Sequence, residues 1–152
     1  MIRTLAGRDV DAILAIQNAC PEIAQWTSWD YHRAASGEMA GWVAEKNARI
    51  VGFLVARRLV SDLEILNLAV TEDARRQGIG AALLNQALAW ARIFQATHAI
   101  LEVRESNLAA LRFYESHKFK VVGRRARYYT APIEDALLLT AALEFRDRSF
   151  SY

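Results

Sequence analysis

Several features are scarce in this chain of 152 residues, and each scarcity excludes a class of protein. A single cysteine, Cys20, rules out a disulfide within the chain. A net charge of +2 is too small to favour binding to nucleic acid. No apolar run approaches the ~20 residues that cross a membrane, and residues 1–9 lack the apolar stretch of a signal peptide. We therefore expect a cytoplasmic protein with neither a nucleic-acid nor a membrane partner.

Metal ligands and linkers are also scarce. The histidines His32, His98 and His117 are scattered and share no metal-ligand spacing with Cys20, so we predict no metal site. The chain has no internal repeat, no low-complexity segment and no linker-like stretch. Its length fits one domain, and a hydrophobic content of 53% is enough for a sizeable core. We predict that residues 1–152 form a single domain.

The most informative stretch is residues 70–84, V-T-E-D-A-R-R-Q-G-I-G-A-A-L-L, which follows a strand-like apolar run. Gly78 and Gly80 allow a tight turn and a close approach of the backbone to a ligand. They open a long helical pattern, and a helix N-terminus suits phosphate. Arg75 and Arg76 can each grip phosphate with two hydrogen bonds. The stretch predicts a pyrophosphate cradle; the alternative is a flexible loop with solvated arginines.

Two other phosphate-binding motifs do not fit. A P-loop requires Gly-Lys-Ser or Gly-Lys-Thr at the start of the helix, whereas Gly80 is followed by Ala81 and Ala82. The dinucleotide fingerprint requires a third small residue where this chain has Leu83. It also requires the first glycine directly after the strand, and residues 71–77 intervene here. We therefore reject a nucleotide triphosphatase and a dinucleotide-binding protein.

Hydrophobic periodicity predicts alternating strands and helices. We expect Asp9 and Ser28 to cap the first two helices, and the first helix to end near Cys20 because Pro21 follows. The predicted helices cover residues 10–19, 28–40, 79–94 and 107–116. The predicted strands cover residues 1–5, 42–45, 50–59, a run ending at 70, 99–103, a strand beginning at 119–123, and 136–143.

Several segments together indicate a family. Residues 75–80, R-R-Q-G-I-G, resemble the R/Q-x-x-G-x-G/A motif of the GNAT acetyltransferases. Residues 101–119, L-E-V-R-E-S-N-L-A-A-L-R-F-Y-E-S-H-K-F, resemble the ribosomal-protein-alanine N-acetyltransferases (RimI-like) within that superfamily, as do residues 67–70, 124–129 and 134–136. The resemblance covers a little over half the chain. It implies an α/β (α+β) GNAT fold, with a central mixed, mostly antiparallel sheet of about seven strands and helices on both faces.

The resemblance also implies a binding site for acetyl-CoA as cosubstrate. In the family, the loop and helix start bind the pyrophosphate, and the preceding strand lines the acetyl and pantetheine end. Asn107 could hydrogen-bond the pantetheine arm, or it could be a simple helix N-cap with Ser106 as its competitor. The implied binding residues are Leu68, Ala69, Val70, Arg75, Arg76, Gln77, Gly78, Ile79, Gly80, Ala81 and Asn107.

Two catalytic residues follow from the same resemblance. A glutamate at the position of Glu102 is the family's general base, and a tyrosine at the position of Tyr114 is its general acid. The alternative for Glu102, which lies amid apolar residues, is an ion pair with Arg104 on the same strand face. The alternative for Tyr114 is a core aromatic with a satisfied hydroxyl. Oxyanion donors are expected from backbone amides where the strand ending at Val70 splays from its neighbour.

The acceptor end matches the family less well. Glu64 is a second carboxylate that alternates with Leu66 and Leu68 on one predicted strand face, and we favour a solvated position at the strand end. The segment from Cys20 to Tyr31 falls where the family places its acceptor-binding loop. Its aromatic residues could line a groove or pack the loop down, and Tyr128 and Tyr129 could gate the other side. These loop aromatics are Trp26, Trp29 and Tyr31.

One local departure from the family lies after the second motif. His117-Lys118-Phe119 stands where the family has x-Gly-Phe, so we expect a strained turn at the end of that helix. The leading hypothesis is an enzyme, a monomer or homodimer, that acetylates the N-terminal α-amino group of a protein by direct attack on the thioester. One alternative is acetylation of a small amine such as an amino acid, polyamine or aminoglycoside. Another is a CoA-binding module without turnover.

Overall fold

A computed structural model describes residues 1–143, and its centre is a seven-stranded sheet. The strand order is β1-β2-β3-β4-β5-β7-β6, and within residues 1–143 only β4 and β5 run parallel. This arrangement confirms the predicted mixed, mostly antiparallel sheet. The strands are β1 (Ile2–Thr4), β2 (Ala40–Lys46), β3 (Arg49–Arg58), β4 (Asp62–Val70), β5 (His98–Arg104), β6 (Lys120–Thr130) and β7 (Ile133–Ala142), and the helices are α1 (Val10–Asn18), α2 (Ser28–Ala35), α3 (Ile79–Ile93) and α4 (Leu108–Ser116).

Helices cover both faces of the sheet, as predicted. α3 and α4 pack on one face, and α1 and α2 pack on the other. Neighbouring residues of β3 alternate between the two cores, because successive side chains of a strand point to opposite faces. The α3 core contains Leu54, Leu63, Leu83, Leu84, Ala87, Ala91 and Leu101, and the α1 core contains Val10, Ile13, Ile16, Tyr31, Val43, Phe53 and Val55.

A β-bulge interrupts the pairing of β4 with β3. Val55 pairs with Asn67 and Ala56 pairs with Ile65, so Leu66 is an extra residue on β4. A bulge of this kind turns the side chains that follow it and is common beside active sites. The bulge therefore divides β4 into two segments with different exposures to the two faces of the sheet.

The bulge corrects one expectation about side-chain direction. Ile65 lies in the α3 core, whereas Ala69, four residues later, lies in the α1 core. Without a bulge these two residues would share one face. Leu66 accordingly packs against the α1 core and Leu68 against the α3 core. The prediction that Glu64, Leu66 and Leu68 share one face is wrong, because Leu68 follows the extra residue.

The two central strands diverge soon after they meet. β4 and β5 pair only through residues 62–64 of β4 and residues 98–100 of β5. Residues 65–70 of β4 continue beside β3, and β5 continues beside β7. The sheet therefore opens between β4 and β5, at the point where the sequence motif predicted a splay.

The first helix begins differently from the expectation. Asp9 occupies the N-cap position of α1, but its carboxylate makes no cap hydrogen bond to the helix. It accepts hydrogen bonds of 2.7 Å from both terminal nitrogens of Arg3 and one of 2.8 Å from the backbone N–H of Ala6. The Arg3 guanidinium holds the pKa of Asp9 below its usual value. Asp9 thus joins β1 to a 3-10 turn.

Other segment ends also differ from the prediction. Thr27, not Ser28, caps α2: its hydroxyl accepts from the N–H of Asp30, whose carboxylate accepts in turn from the N–H of Thr27 at 2.9 Å. β6 runs to residue 130, well beyond its predicted start at 119–123. Lys118 adopts φ +70° at the turn after α4, which confirms the expected strain where the family has glycine. No helix within residues 1–143 is long and apolar enough to cross a membrane.

Candidate active site

A cleft of about 470 Å³ lies between the second half of β4, the start of α3 and α4; we call it the α3 cleft. It contains every predicted site residue except Gln77 and Glu102. Sequence and structure therefore agree on where the candidate binding residues gather. Those lining the cleft are Leu68, Ala69, Val70, Arg75, Arg76, Gly78, Ile79, Gly80, Ala81, Asn107 and Tyr114.

The entrance to α3 is shaped for close approach by a ligand. Gly78 caps the helix in the left-handed conformation, with φ +78°, which disfavours any residue with a Cβ. A Cβ added to Gly78 would meet nothing within 4 Å, so the space above the turn is open. The first turn carries no acidic residue, and its free N–H groups give it a positive end. This geometry suits an anionic group such as a pyrophosphate.

The polar residues before α3 take different positions. Arg75 donates hydrogen bonds to the carbonyl oxygen of Val70 at 3.1 Å and to Cys20 Sγ at 3.3 Å. Its guanidinium therefore lies beside the cleft wall. Gln77 hydrogen-bonds Lys46 and, at 3.4 Å, the carbonyl oxygen of Asp73, so its side chain lies outside the cleft. Of the predicted phosphate-binding side chains, only those of the two arginines line the cleft.

Tyr114 combines a buried ring with an available hydroxyl. The ring packs edge-on against Phe113 and Phe119, with centroids 5.1 and 5.3 Å away, and the residue is 6% exposed. Burial raises the pKa of Tyr114 well above its usual value, so the phenol is protonated at neutral pH. Within residues 1–143 the hydroxyl has no hydrogen-bond partner. Tyr114 is therefore a core aromatic, as that alternative expected, and its hydroxyl has no protein partner in the described part of the chain.

Asn107 occupies the start of α4. Its side-chain oxygen accepts a hydrogen bond of 3.2 Å from the backbone N–H of Ala110, so it is the N-cap. The competing residue, Ser106, instead donates its backbone N–H to Glu134. The capping oxygen leaves the side-chain amide nitrogen of Asn107 at the cleft, where it could donate to a ligand.

A small cavity of about 70 Å³, which we call the passage, shares lining residues with the α3 cleft and with a second cleft of about 480 Å³. We call the second cavity the β6 cleft, because Arg125, Tyr128 and Tyr129 of β6 form one wall. The passage shares Tyr114 with the α3 cleft and Glu102 with the β6 cleft. The two predicted catalytic residues thus line the same small cavity between the clefts.

Glu102 has a different ionic partner from the one expected. Its carboxylate lies 3.1 Å from Nε of Arg125 and is 25% exposed. The charge of Glu102 also raises the pKa of the Tyr128 hydroxyl beside it. Arg104, the expected partner, pairs with Glu134 at 3.4 Å. β5 and β6 each pair with β7, and this arrangement brings Arg125 to Glu102.

Glu64 also faces the β6 cleft. Its carboxylate is 22% exposed and lies 2.6 Å from Nε of Arg57, so the favoured interpretation as a solvated residue at the strand end is wrong. The cleft contains as many arginines as carboxylates. The carboxylates are Asp30, Glu64 and Glu102, and the arginines are Arg33, Arg57 and Arg125.

The three aromatic residues of the predicted acceptor loop have different fates. Trp26 lines the β6 cleft, which fits the first of the two expectations, that loop aromatics line a groove. Tyr31 is fully buried and packs edge-on against Phe53 at 5.5 Å, which matches the other. Trp29 is 70% exposed and lines neither cleft. The loop thus contributes one aromatic side chain to the lining of the β6 cleft and one to the α1 core.

Two buried amides that were not predicted from the sequence hold this loop. Gln17 exchanges hydrogen bonds with the backbone of Trp26, at 2.8 and 2.9 Å, and accepts one from the Tyr31 hydroxyl. Asn67 donates to the carbonyl oxygen of Ala24 at 2.9 Å and to the Tyr31 hydroxyl at 3.1 Å. Both amides interrupt apolar runs, which was the signal available in the sequence.

No cluster of three or more histidine, cysteine, aspartate or glutamate residues suited to a metal ion occurs within residues 1–143.

The sequence profile of the acetyltransferase (GNAT) family matches residues 10–119. The chain is similar to an N-alpha-acetyltransferase of Sulfurisphaera tokodaii, at 35% identity over 93% of this chain and 92% of the relative. It is also similar to one from Sulfolobus acidocaldarius, at 31% identity over 93% and 92%.

A solved structure agrees with these relatives. The ribosomal-protein-S18-alanine N-acetyltransferase from Escherichia coli matches with a TM-score of 0.84 and 25% identity, over 100% of this chain and 99% of the other. The open sheet, the glycine turn at α3 and the sequence matches agree with one another. The chain belongs to the GNAT acetyltransferase family and is an acetyl-CoA-dependent N-acetyltransferase.

Proposed function

We propose that this enzyme acetylates the α-amino group of a protein N-terminus, and that Glu102 and Tyr114 are its base and acid. The observation that carries the proposal is the narrow passage, which contains both residues between two larger clefts. Acetyl-CoA occupies the α3 cleft and the acceptor occupies the β6 cleft. The names of the two archaeal relatives and of the E. coli enzyme support this acceptor class. We also propose that the enzyme is cytoplasmic. We propose further that its chain forms a single domain and that it acts as a monomer or homodimer.

The α3 cleft fits acetyl-CoA in both shape and charge. The N–H groups at the start of α3, with Arg75 and Arg76, would hold the pyrophosphate. The open space above Gly78 lets a phosphate approach the backbone. Residues 68–70 would lie along the acetyl and pantetheine end, with the side-chain amide of Asn107 opposite. Bound there, acetyl-CoA supplies the activated thioester.

An N-terminal amine needs little help to react at neutral pH. Its pKa is about 8, compared with about 10.4 for lysine, so a substantial fraction is already neutral. Glu102 accepts the amine proton, directly or through one water, as the C–N bond forms. Tyr114, protonated because it is buried, gives its proton to the departing thiolate as the C–S bond breaks. The oxyanion is stabilised by β4 backbone N–H groups beyond the last β5 pair.

The charge of the β6 cleft favours a peptide over a polyamine. A site for a polycation needs an excess of carboxylates, because each additional ammonium must be paired. This cleft has three carboxylates and three arginines among its lining residues, so it has no net negative charge. The aromatic walls of Trp26, Tyr128 and Tyr129 offer surface to peptide side chains.

A thiol-release assay with acetyl-CoA tests the proposal. The acceptors are short peptides that begin with Ala, Ser, Met or Gly, beside an amino acid, a polyamine and an aminoglycoside. We expect turnover on peptides, and a loss of about 10²- to 10⁴-fold in kcat for Glu102→Gln, the usual worth of a general base. Glu105→Gln is the matched control, because Glu105 pairs with Arg124 outside both clefts.

Each contrary result has a distinct meaning. Turnover on small amines alone would contradict the protein acceptor but leave the acetyl-CoA site intact. Full activity of Glu102→Gln would remove Glu102 as base, and Glu64→Gln would then be the next variant to test. CoA binding by calorimetry without turnover on any acceptor would support a CoA-binding module.

A further inference from the structure

The charges of the β6 cleft are arranged by depth. Its two ion pairs join Glu64 to Arg57 at 2.6 Å and Glu102 to Arg125 at 3.1 Å. The carboxylates are 22% and 25% exposed, whereas the guanidinium side chains are 51% and 58% exposed. Within these two pairs the glutamates form a negative floor and the arginines a positive rim; Asp30 and Arg33 also line the cleft and add one charge of each sign.

The rim arginines retain hydrogen-bonding capacity. In both pairs the shortest contact joins the carboxylate to Nε. Within residues 1–143, no hydrogen bond joins a terminal nitrogen of Arg57 or Arg125 to a carboxylate. A guanidinium presents five N–H donors in a planar fork that matches a carboxylate. Each rim arginine can therefore remain paired with its floor glutamate and also donate hydrogen bonds to a carboxylate of a ligand.

We propose that Arg57 and Arg125 select acceptors with an acidic side chain at the second or third residue. This inference rests on the proposed N-terminal acceptor. The α-ammonium enters first and meets the negative floor at Glu102, which lines the passage. Arg125 lies 3.1 Å from Glu102, and an extended chain advances about 3.3–3.6 Å per residue, so the side chains of the next two residues come within reach of the rim. A carboxylate there meets the guanidinium groups, whereas an ammonium there is repelled.

The test compares initial rates on matched peptides. One set begins Ala-Asp, Ala-Asn or Ala-Lys, and a second set moves the varied residue to position three; the remaining sequence is neutral. The enzymes are the wild type, Arg57→Ala, Arg125→Ala and Arg124→Ala. Arg124 is the control, because it is adjacent on β6 but pairs with Glu105 and Asp135 and does not line the cleft.

We expect the wild type and Arg124→Ala to prefer Asp over Asn by about tenfold in kcat/KM at one of the two positions, with Lys the poorest. The preference should reside in KM and should weaken as salt is raised, because both arginines are half-exposed. At least one of Arg57→Ala and Arg125→Ala should reduce it to about twofold. The neutral peptides separate this selectivity from any general effect of Arg125 on Glu102.

Three results would overturn the inference. Equal rates on Asp and Asn peptides, or a preference for Lys, would contradict it while turnover of the neutral peptides left the proposed function standing. An acidic preference that survived both arginine substitutions would place the selecting group elsewhere. Absence of turnover on every peptide would remove the proposed function and this inference together.

Discussion

The α3 cleft and the β6 cleft are built in different ways. The first takes most of its lining from one continuous segment, residues 68–81, completed by residues 20–23 and by α4 with its N-cap and C-cap. The second takes its charged groups from five separate elements: α2, β3, β4, β5 and β6. A constant cosubstrate can be recognised by backbone geometry encoded in a short motif. The β6 cleft, which we propose as the acceptor site, is assembled from side chains distant in the sequence, so its specificity can change one residue at a time.

The largest effect is expected where the two clefts meet. Tyr114→Phe keeps the ring packing against Phe113 and Phe119 but removes the hydroxyl that we propose as the proton donor. We expect kcat to fall by about 10²-fold, with the KM for acetyl-CoA and the thermal midpoint unchanged. Because burial raises the pKa of Tyr114, the wild type should show no alkaline loss of this donor below about pH 10. A wild-type kcat in the variant would assign the proton to water.

The next largest effect is expected beside the β6 cleft, where a buried hydrogen-bond network holds the loop. Asn67→Ala removes two hydrogen bonds, to Ala24 and Tyr31, and leaves buried groups without partners. We expect a loss of about 1–3 kcal/mol in urea unfolding, and a larger rise in KM for peptide than for acetyl-CoA. Asn85→Ala, on the exposed side of α3, is the control and should stay within about 0.5 kcal/mol. Equal changes in both KM values would show that the clefts are not separable.

The α3 cleft can be tested alone through its charge. Arg76→Ala should raise the KM for acetyl-CoA by about tenfold, because one charge-assisted hydrogen bond to phosphate is lost. We expect kcat and the KM for peptide to be unchanged. Arg92→Ala, in the last turn of α3, serves as the control for net charge. A rise in peptide KM with Arg76→Ala would indicate that phosphate binding also orders the β6 cleft.

The smallest effect concerns the turn behind Tyr114. Lys118→Gly should stabilise the fold by about 0.5–1 kcal/mol, because glycine accepts φ +70° without a steric penalty. Lys120→Gly, two residues later in β6, should destabilise it by a similar amount. Denaturant midpoints of the two variants should therefore move in opposite directions. Movement in the same direction would show that the left-handed turn is not strained.

The sequence predicted most of the fold and the α3 cleft, because both depend on local patterns. Both signals, a glycine at the start of a helix and apolar periodicity, depend only on residues that are close together in the sequence. Gly78 and α3 therefore lie where expected. The partner of Glu102 could not be predicted in this way. It depends on β6 pairing beyond β7, which brings Arg125 rather than Arg104 to the carboxylate.

The bulge in β4 shows the same limit most clearly. An alternating strand pattern predicts one face for Glu64, Leu66 and Leu68, but the extra residue appears only when β4 is aligned with β3. The buried amides Gln17 and Asn67 were visible as polar interruptions. Their partners were not, because those partners lie nine to 43 residues away along the chain.

Because of the extra residue at Leu66, the two segments of β4 line different clefts. Residues 64–66 line the β6 cleft and residues 68–70 line the α3 cleft, so in the proposed arrangement the strand contacts the acceptor before the bulge and acetyl-CoA after it. We therefore expect a substitution before Leu66 to alter the choice of acceptor without changing acetyl-CoA binding, and a substitution after Leu66 to do the converse. A lineage carrying this bulge can therefore change its acceptors while its use of acetyl-CoA stays fixed.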